Sequence, residues 1–177
     1  MRIAAIVALL LCALPAGSMA DKPKVNRAMI EAMEHSMDRK LSGLWPGDPV
    51  PVEVLGLTQG AYIDGYGAIF MGEVNLVLAP GITPFHPTVT PDEIKRTRDK
   101  KLQRMPQLKT AMREMLVDSA RSLDAVPADE QVALGVSLFY WKWEDREGLP
   151  AQIVMHASRK DLLQSGAGQA PIAAEEF

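Results

Sequence analysis

The sequence predicts an α+β fold, a two-layer sandwich in which a four-stranded, mainly antiparallel sheet of two hairpins packs against two long amphipathic helices. Three observations carry this expectation. Apolar residues recur every three or four positions over 26–41 and again over 94–124. Residues 52–63, 66–78, 131–143 and 151–157 are rich in β-branched and aromatic side chains, and clusters of Pro, Gly and Asp separate these segments. The order is helix, hairpin, helix, hairpin, without the strict strand–helix alternation of a doubly wound parallel fold.

The chain opens with Arg2, an apolar run over 3–14, Pro15 and the small-residue site Ser18-Met19-Ala20. This is the order of a signal peptide cut after Ala20, which sends the mature chain to the periplasm or out of the cell. About twelve apolar residues fall short of the roughly twenty that span a bilayer. Cys12 follows three leucines, not the small residue that precedes a lipid-attachment cysteine. The expected division is a signal peptide over 1–20, one α+β domain over 21–164 and a flexible C-terminal tail over 165–177.

In the first helix, Met29, Ile30, Met33, Met37 and Leu41 form an apolar stripe between Glu31, Glu34, Asp38 and Arg39. It ends before Trp45-Pro46-Gly47-Asp48-Pro49-Val50-Pro51, where three prolines forbid both helix and central strand. The next two strands flank Asp64-Gly65, a pair suited to a tight two-residue hairpin, and four glycines within them suggest a bulge or a close backbone approach. Ala68, Phe70, Val74 and Leu76 share one face of the second strand, with Tyr66 and Leu78, opposite Glu73 and Asn75.

Thr90-Pro91-Asp92-Glu93 is a helix start: Thr90 caps, Pro91 takes the first helical position and Glu93 reaches back. The stripe then runs through Ile94, Leu102, Met105, Leu108, Met112, Met115, Leu116 and Leu123, with Pro106 expected to kink the helix or begin a second one. Val132, Leu134, Val136, Leu138 and Tyr140 make one face of the third strand. Its other face starts small, with Ala133, Gly135 and Ser137, and ends with Phe139, Trp141 and Trp143. A polar turn over 144–148 leads to the fourth strand, and residues 159–164 form a closing helical turn. The loops Pro46-Gly47-Asp48 and Pro127-Ala128-Asp129 hint at an internal duplication.

Composition narrows the functional classes. The mature chain keeps 18 basic and 22 acidic residues, a charge of −4 that does not suit nucleic acid. Its lack of cysteine excludes a disulfide-stapled scaffold and a thiol nucleophile.

Glu31 and His35 lie four apart on one helical face, yet glutamate stands where a zinc-peptidase motif has its first histidine. Three histidines, His35, His86 and His156, lack ligand spacing, and no metal or cofactor is expected. Gly135-Val136-Ser137 begins like a nucleophile elbow, but Phe139 replaces the closing glycine. Asp64-Gly65-Tyr66-Gly67 has no following helix with a Lys-Ser/Thr pair to cradle phosphate, and hairpin geometry accounts for its glycines. The basic run Lys95, Arg96, Arg98, Lys100, Lys101, Arg104, Lys109 and Arg113 reads as a solvated helix surface, with contact to an anionic surface as its functional alternative.

Phe139, Trp141 and Trp143 would stand together on a sheet face opposite the core, a site for a partner or an extended ligand if nothing covers them. The sequence therefore predicts an exported, non-enzymatic domain that binds a macromolecular partner, either a protein or a component of the cell envelope. The alternative is a secreted hydrolase or metal-dependent enzyme using His156 and Ser137, or Glu31 and His35. A self-associating subunit pairing through an edge strand is the third class.

Overall fold

A computed structural model describes residues 24–79, 84, 87–165 and 169–177. The leader, its cut after Ala20 and His86 lie outside the described residues. The elements are α1 (Arg27–Ser42), β1 (Glu53–Val54), β2 (Gln59–Ile63), β3 (Gly67–Asn75), α2 (Pro91–Ser122), β4 (Gln131–Leu138), β5 (Gln152–Ser158), α3 (Arg159–Ser165) and β6 (Ala173–Glu176).

The α+β class holds, but the sheet differs from the expected one. Among the described residues it is mixed and has six strands in the order β1-β3-β4-β5-β6, with β2 also paired to β3. The expected antiparallel set of two hairpins fails at its centre, where β3 and β4 run parallel from Gly67↔Gln131 to Val74↔Leu138. The connection is α2, whose 32 residues reach about 48 Å at 1.5 Å per residue and carry the chain back to the start of the sheet. In place of two long helices there are three among the described residues, of 16, 32 and 7 residues, and only α2 is long.

β1 and β2 are two pieces of one edge. Val54 pairs with Val74 and Gln59 with Met71, so five steps along the edge match three along β3. The two surplus residues form a bulge around Gly56, which Asp38 of α1 pins by accepting from the Thr58 N–H at 2.9 Å and its hydroxyl at 2.6 Å. The hairpin that follows has three loop residues, not two. Tyr66 N–H donates to the Ile63 carbonyl across a turn whose Gly65 has φ +78°.

Phe70, Leu134 and Met155 project from one sheet face into the core with Met33 and Met37 of α1 and Leu108 and Met112 of α2. α1 packs on β1, β2 and β3, α2 packs on β4 and β5, and α3 closes against α2 and β5. Asn26 caps α1 by accepting from the Met29 N–H at 3.0 Å, and Thr90 with Glu93 forms the capping box of α2. Pro106 neither ends α2 nor starts a new helix, since the element continues to Ser122.

Three finer expectations also change. Asn75, placed on the open face, is fully buried, whereas Leu78, placed with the core, is 45 % exposed. β4 ends at Leu138, five residues before the expected limit. Within the expected flexible tail, Ala173–Glu176 form β6, because the free main-chain groups of the β5 edge can bond a strand of any sequence.

Candidate functional site

The site grows from a stripe on α2. Positions 97, 101, 104, 108, 112, 115 and 119 all face inward, and the first three hold Thr97, Lys101 and Arg104. Hydrophobic periodicity thus continues through charged residues, and each buried cation must find partners. Arg104, whose side chain is 2 % exposed, donates to the Leu76 and Val50 carbonyls and pairs with Asp48 at 2.7 Å. Its guanidinium also lies 4.8 Å from the Trp45 ring centre. Lys100 reaches Asp48 at 2.9 Å. Arg104 first and Lys100 second hold the Asp48 carboxyl well below the usual carboxylate range.

Lys101 sits three residues earlier and serves the next strand end. It donates to the Phe139 carbonyl at 2.9 Å, pairs with Glu144 at 2.5 Å and lies 4.5 Å from the Tyr140 ring centre. Burial draws its pKa down, opposed by Glu144. Burial also pushes the Tyr140 hydroxyl up to about 12, and that hydroxyl donates to the Pro150 carbonyl at 2.7 Å. Arg98 ties the same loop from outside, through Asp145 at 2.6 Å and Glu147 at 3.2 Å. Arg104 and Lys101 therefore hold the segments leaving the carboxyl ends of β3 and β4.

Beside these anchors lies a groove of about 770 Å³. Its walls are the loop from Pro46 to Val50, the segment Val77-Leu78-Ala79 after β3, and Glu93, Arg96, Thr97 and Lys100 of α2. The surface is apolar where Val50, Val77, Leu78 and Ala79 meet, and charged along α2. Crevices outside the carboxyl ends of parallel strands are where open α/β sheets hold ligands, because the chain diverges there.

The expected aromatic patch is rearranged. Phe139 donates its N–H to the Val74 carbonyl at 2.9 Å, but Trp141 and Trp143 lie beyond β4 in a loop, so the three do not line one strand face. Phe139 and Trp141 pack edge to face with centres 5.0 Å apart. Trp141 is 41 % exposed, while Phe139 and Trp143 are partly buried. The Phe139–Trp141 contact lies at the same end of the sheet as the groove.

The residues considered for catalysis are dispersed. Ser137 pairs with Gln152 and His156 with Ala133, four positions apart along β4, which is roughly 13 Å. Ser137 accepts from the Gln152 amide at 3.2 Å, and His156 Nδ1 faces the Gln131 amide oxygen at 3.2 Å. Glu31 and His35 are both exposed on α1, while their neighbour Glu34 is buried, bonds Arg27 and accepts from the Gly60 N–H at 2.6 Å. Among the described residues, no three His, Cys, Asp or Glu side chains gather into a cluster fit for a metal.

The basic run is not a solvated surface throughout, since Lys101 and Arg104 are buried and Lys95, Arg98, Lys100 and Lys109 pair with carboxylates. Sequence reasoning missed Asp48, Lys101, Arg104 and Glu144. The available signal was the spacing of Lys101 and Arg104, in register with Leu108 and Met115. No described helix is long and apolar enough to cross a membrane. Compared with family models, curated proteins and solved structures, the chain matches none.

Proposed function

We propose that this chain is an exported, non-enzymatic binding domain, periplasmic or secreted, that takes a macromolecular partner at the carboxyl end of β3 and β4. The observation that carries this reading is the apolar groove beside Val77 and Leu78, whose Pro46–Val50 wall is held through Asp48 by Arg104 and Lys100. A groove whose walls are already fixed loses little conformational entropy on binding. Leu78 at 45 % exposure and Trp141 at 41 % supply large apolar contacts of the kind that dominate interface energies. The hydrolase reading is weaker because Ser137 and His156 each bond a glutamine and stand on different rows of the sheet.

A photoreactive amino acid placed at Leu78, at Trp141 and, as a control, at Leu163 of α3 tests the site in cells that make the full chain. The expected result is one discrete cross-linked adduct shared by the first two positions and missing from the third. No adduct at 78 or 141, or the same adducts at all three, would overturn the site. Export is read separately by N-terminal sequencing, where a chain starting at Asp21 supports it and a cytosolic chain starting at Met1 excludes it.

A further inference from the structure

The geometry points to the outer edge of β5 as an acceptor for an extended peptide strand, a site that residues 173–177 of the same chain occupy and keep closed. This inference concerns a different surface from the groove and does not depend on it.

The occupying strand is held almost wholly by its backbone. Ile153↔Glu176, Val154↔Glu175, Met155↔Ala174 and His156↔Ala173 are paired antiparallel. Phe177 donates to the Gln152 carbonyl at 3.0 Å and accepts from the Ala151 and Gln152 N–H groups at 2.5 and 3.3 Å. All four β6 residues are exposed, and Phe177, the largest side chain of the segment, is 65 % exposed. Ala and Glu are poor strand formers, so within 173–176 neither burial nor propensity fixes the strand, and the apolar anchor is Ile172 just before it, partly buried against the core. Among the described residues its ion pair joins Glu176 to Lys109 of α2 at 2.5 Å, with both side chains partly exposed, and such pairs contribute little.

The edge beneath it is built differently. Ile153, Met155 and Ala157 are buried in the core, and β5 is bonded along its length to β4, so its outer N–H and C=O groups are held in a straight, regular row. A rigid edge covered by a weakly anchored strand can exchange that strand for another, with main-chain bonds giving affinity and side-chain positions giving choice. The choice here is set by Lys109, which faces the position of Glu176 and favours a carboxylate there. The ligand class is therefore an extended peptide with small residues followed by acidic ones. Tethering gives the resident strand a high effective concentration, so a free peptide meets a closed site until β6 lifts.

The test compares the full chain with one ending at Ile172, using a fluorescent peptide of residues 173–177, the segment removed, as the probe. The shortened chain is expected to bind the peptide at least about tenfold more tightly than the full chain, and Lys109→Glu in the shortened chain should weaken binding about threefold or more. Equal binding by both chains, or a folded shortened chain that binds no peptide at millimolar concentration, overturns the inference.

Hydrogen exchange on the intact chain provides a test that needs no truncation. Antiparallel alternation points the N–H groups of Val154 and His156 toward β6 and those of Ile153 and Met155 toward β4. The first pair should exchange at least about a hundredfold faster than the second. Equal protection of the two sets would show that β6 does not lift and would exclude an exchangeable strand.

Discussion

Lys101 and Glu144 form an ion pair at 2.5 Å in which each side chain is 1 % exposed, joining the second turn of buried positions on α2 to the loop after β4. Two charges so placed have lost most of their hydration, and each depends on the other. Removing one partner leaves an unpaired buried charge, which costs about 3 kcal/mol or more, whereas replacing both by apolar groups of similar size can be neutral. Glu144→Ala is therefore expected to lower the unfolding free energy by about 3 kcal/mol in urea titrations, and Lys101→Met with Glu144→Leu to restore most of it.

The sign of the pH effect follows from burial. The folded-state pKa of Lys101 is pulled below its ordinary value, so the penalty of Glu144→Ala is full at neutral pH and should shrink as the pH approaches about 10. A single-variant loss below about 0.5 kcal/mol would mean that water reaches the pair.

Asp48 gives the opposite pH dependence. Arg104 and Lys100 favour its charged form in the folded state, so its folded pKa lies below the unfolded value. The stabilisation is present above about pH 4 and fades as the pH falls toward the folded pKa. Asp48→Asn should be less stable than the parent chain at pH 7, with the gap between their urea midpoints narrowing by pH 3. A gap that stays constant across that range would remove Asp48 from the account of acid sensitivity.

What could be read from the sequence was local. The cap at Thr90 and the stripe of Ile30, Met33, Met37 and Leu41 are decided within a few residues, and the structure keeps them, while the turn at Asp64-Gly65 is kept in place but takes in Tyr66 as a third loop residue. Strand partnership is decided by distant segments, so the parallel pairing of β3 with β4 did not follow from the same patterns. One signal was present: Val132 to Leu138 is nearly continuous in apolar and small residues, the pattern of a strand covered on both faces. The site was less legible because a lysine or arginine in a helical stripe looks solvated until its partner is known. Glu144 and Asp48 lie far from Lys101 and Arg104 in sequence, in loops whose paths no local rule fixes.

Two glycines in neighbouring strands should respond unequally to the same substitution. Gly67 has φ +131°, and a Cβ added there would lie 1.9 Å from the Gln131 carbonyl oxygen, a backbone atom that cannot move without disturbing the β3–β4 pairing. At Gly135 the added carbon would meet the Met71 sulfur at 2.4 Å, the far end of a flexible and 38 % exposed side chain. Gly67→Ala is expected to cost about 3 kcal/mol or to prevent folding, through clash and backbone strain together. Gly135→Ala should cost no more than about 1 kcal/mol. Comparing their thermal midpoints checks the contrast, and equal losses would contradict it.

The start of α2 links helix stability to the groove. Thr90 accepts from the Glu93 N–H at 3.3 Å, while Glu93 accepts from the Thr90 N–H and hydroxyl at 2.8 Å each. These bonds fix the first turn, and with it the positions of Glu93, Arg96, Thr97 and Lys100 along the groove wall. Thr90→Ala removes the cap and should cost about 1 kcal/mol, or roughly 2–4 °C in thermal midpoint for a domain of this size. Thr90→Ser keeps the accepting oxygen and should recover most of that loss. The groove adds a second readout: exchange of the 92–97 amides should speed up in Thr90→Ala while those of 108–116 stay protected, because only the helix end loses its partner. Uniform acceleration along α2 would instead show that the whole helix opens as one unit and that the cap does not set the wall by itself.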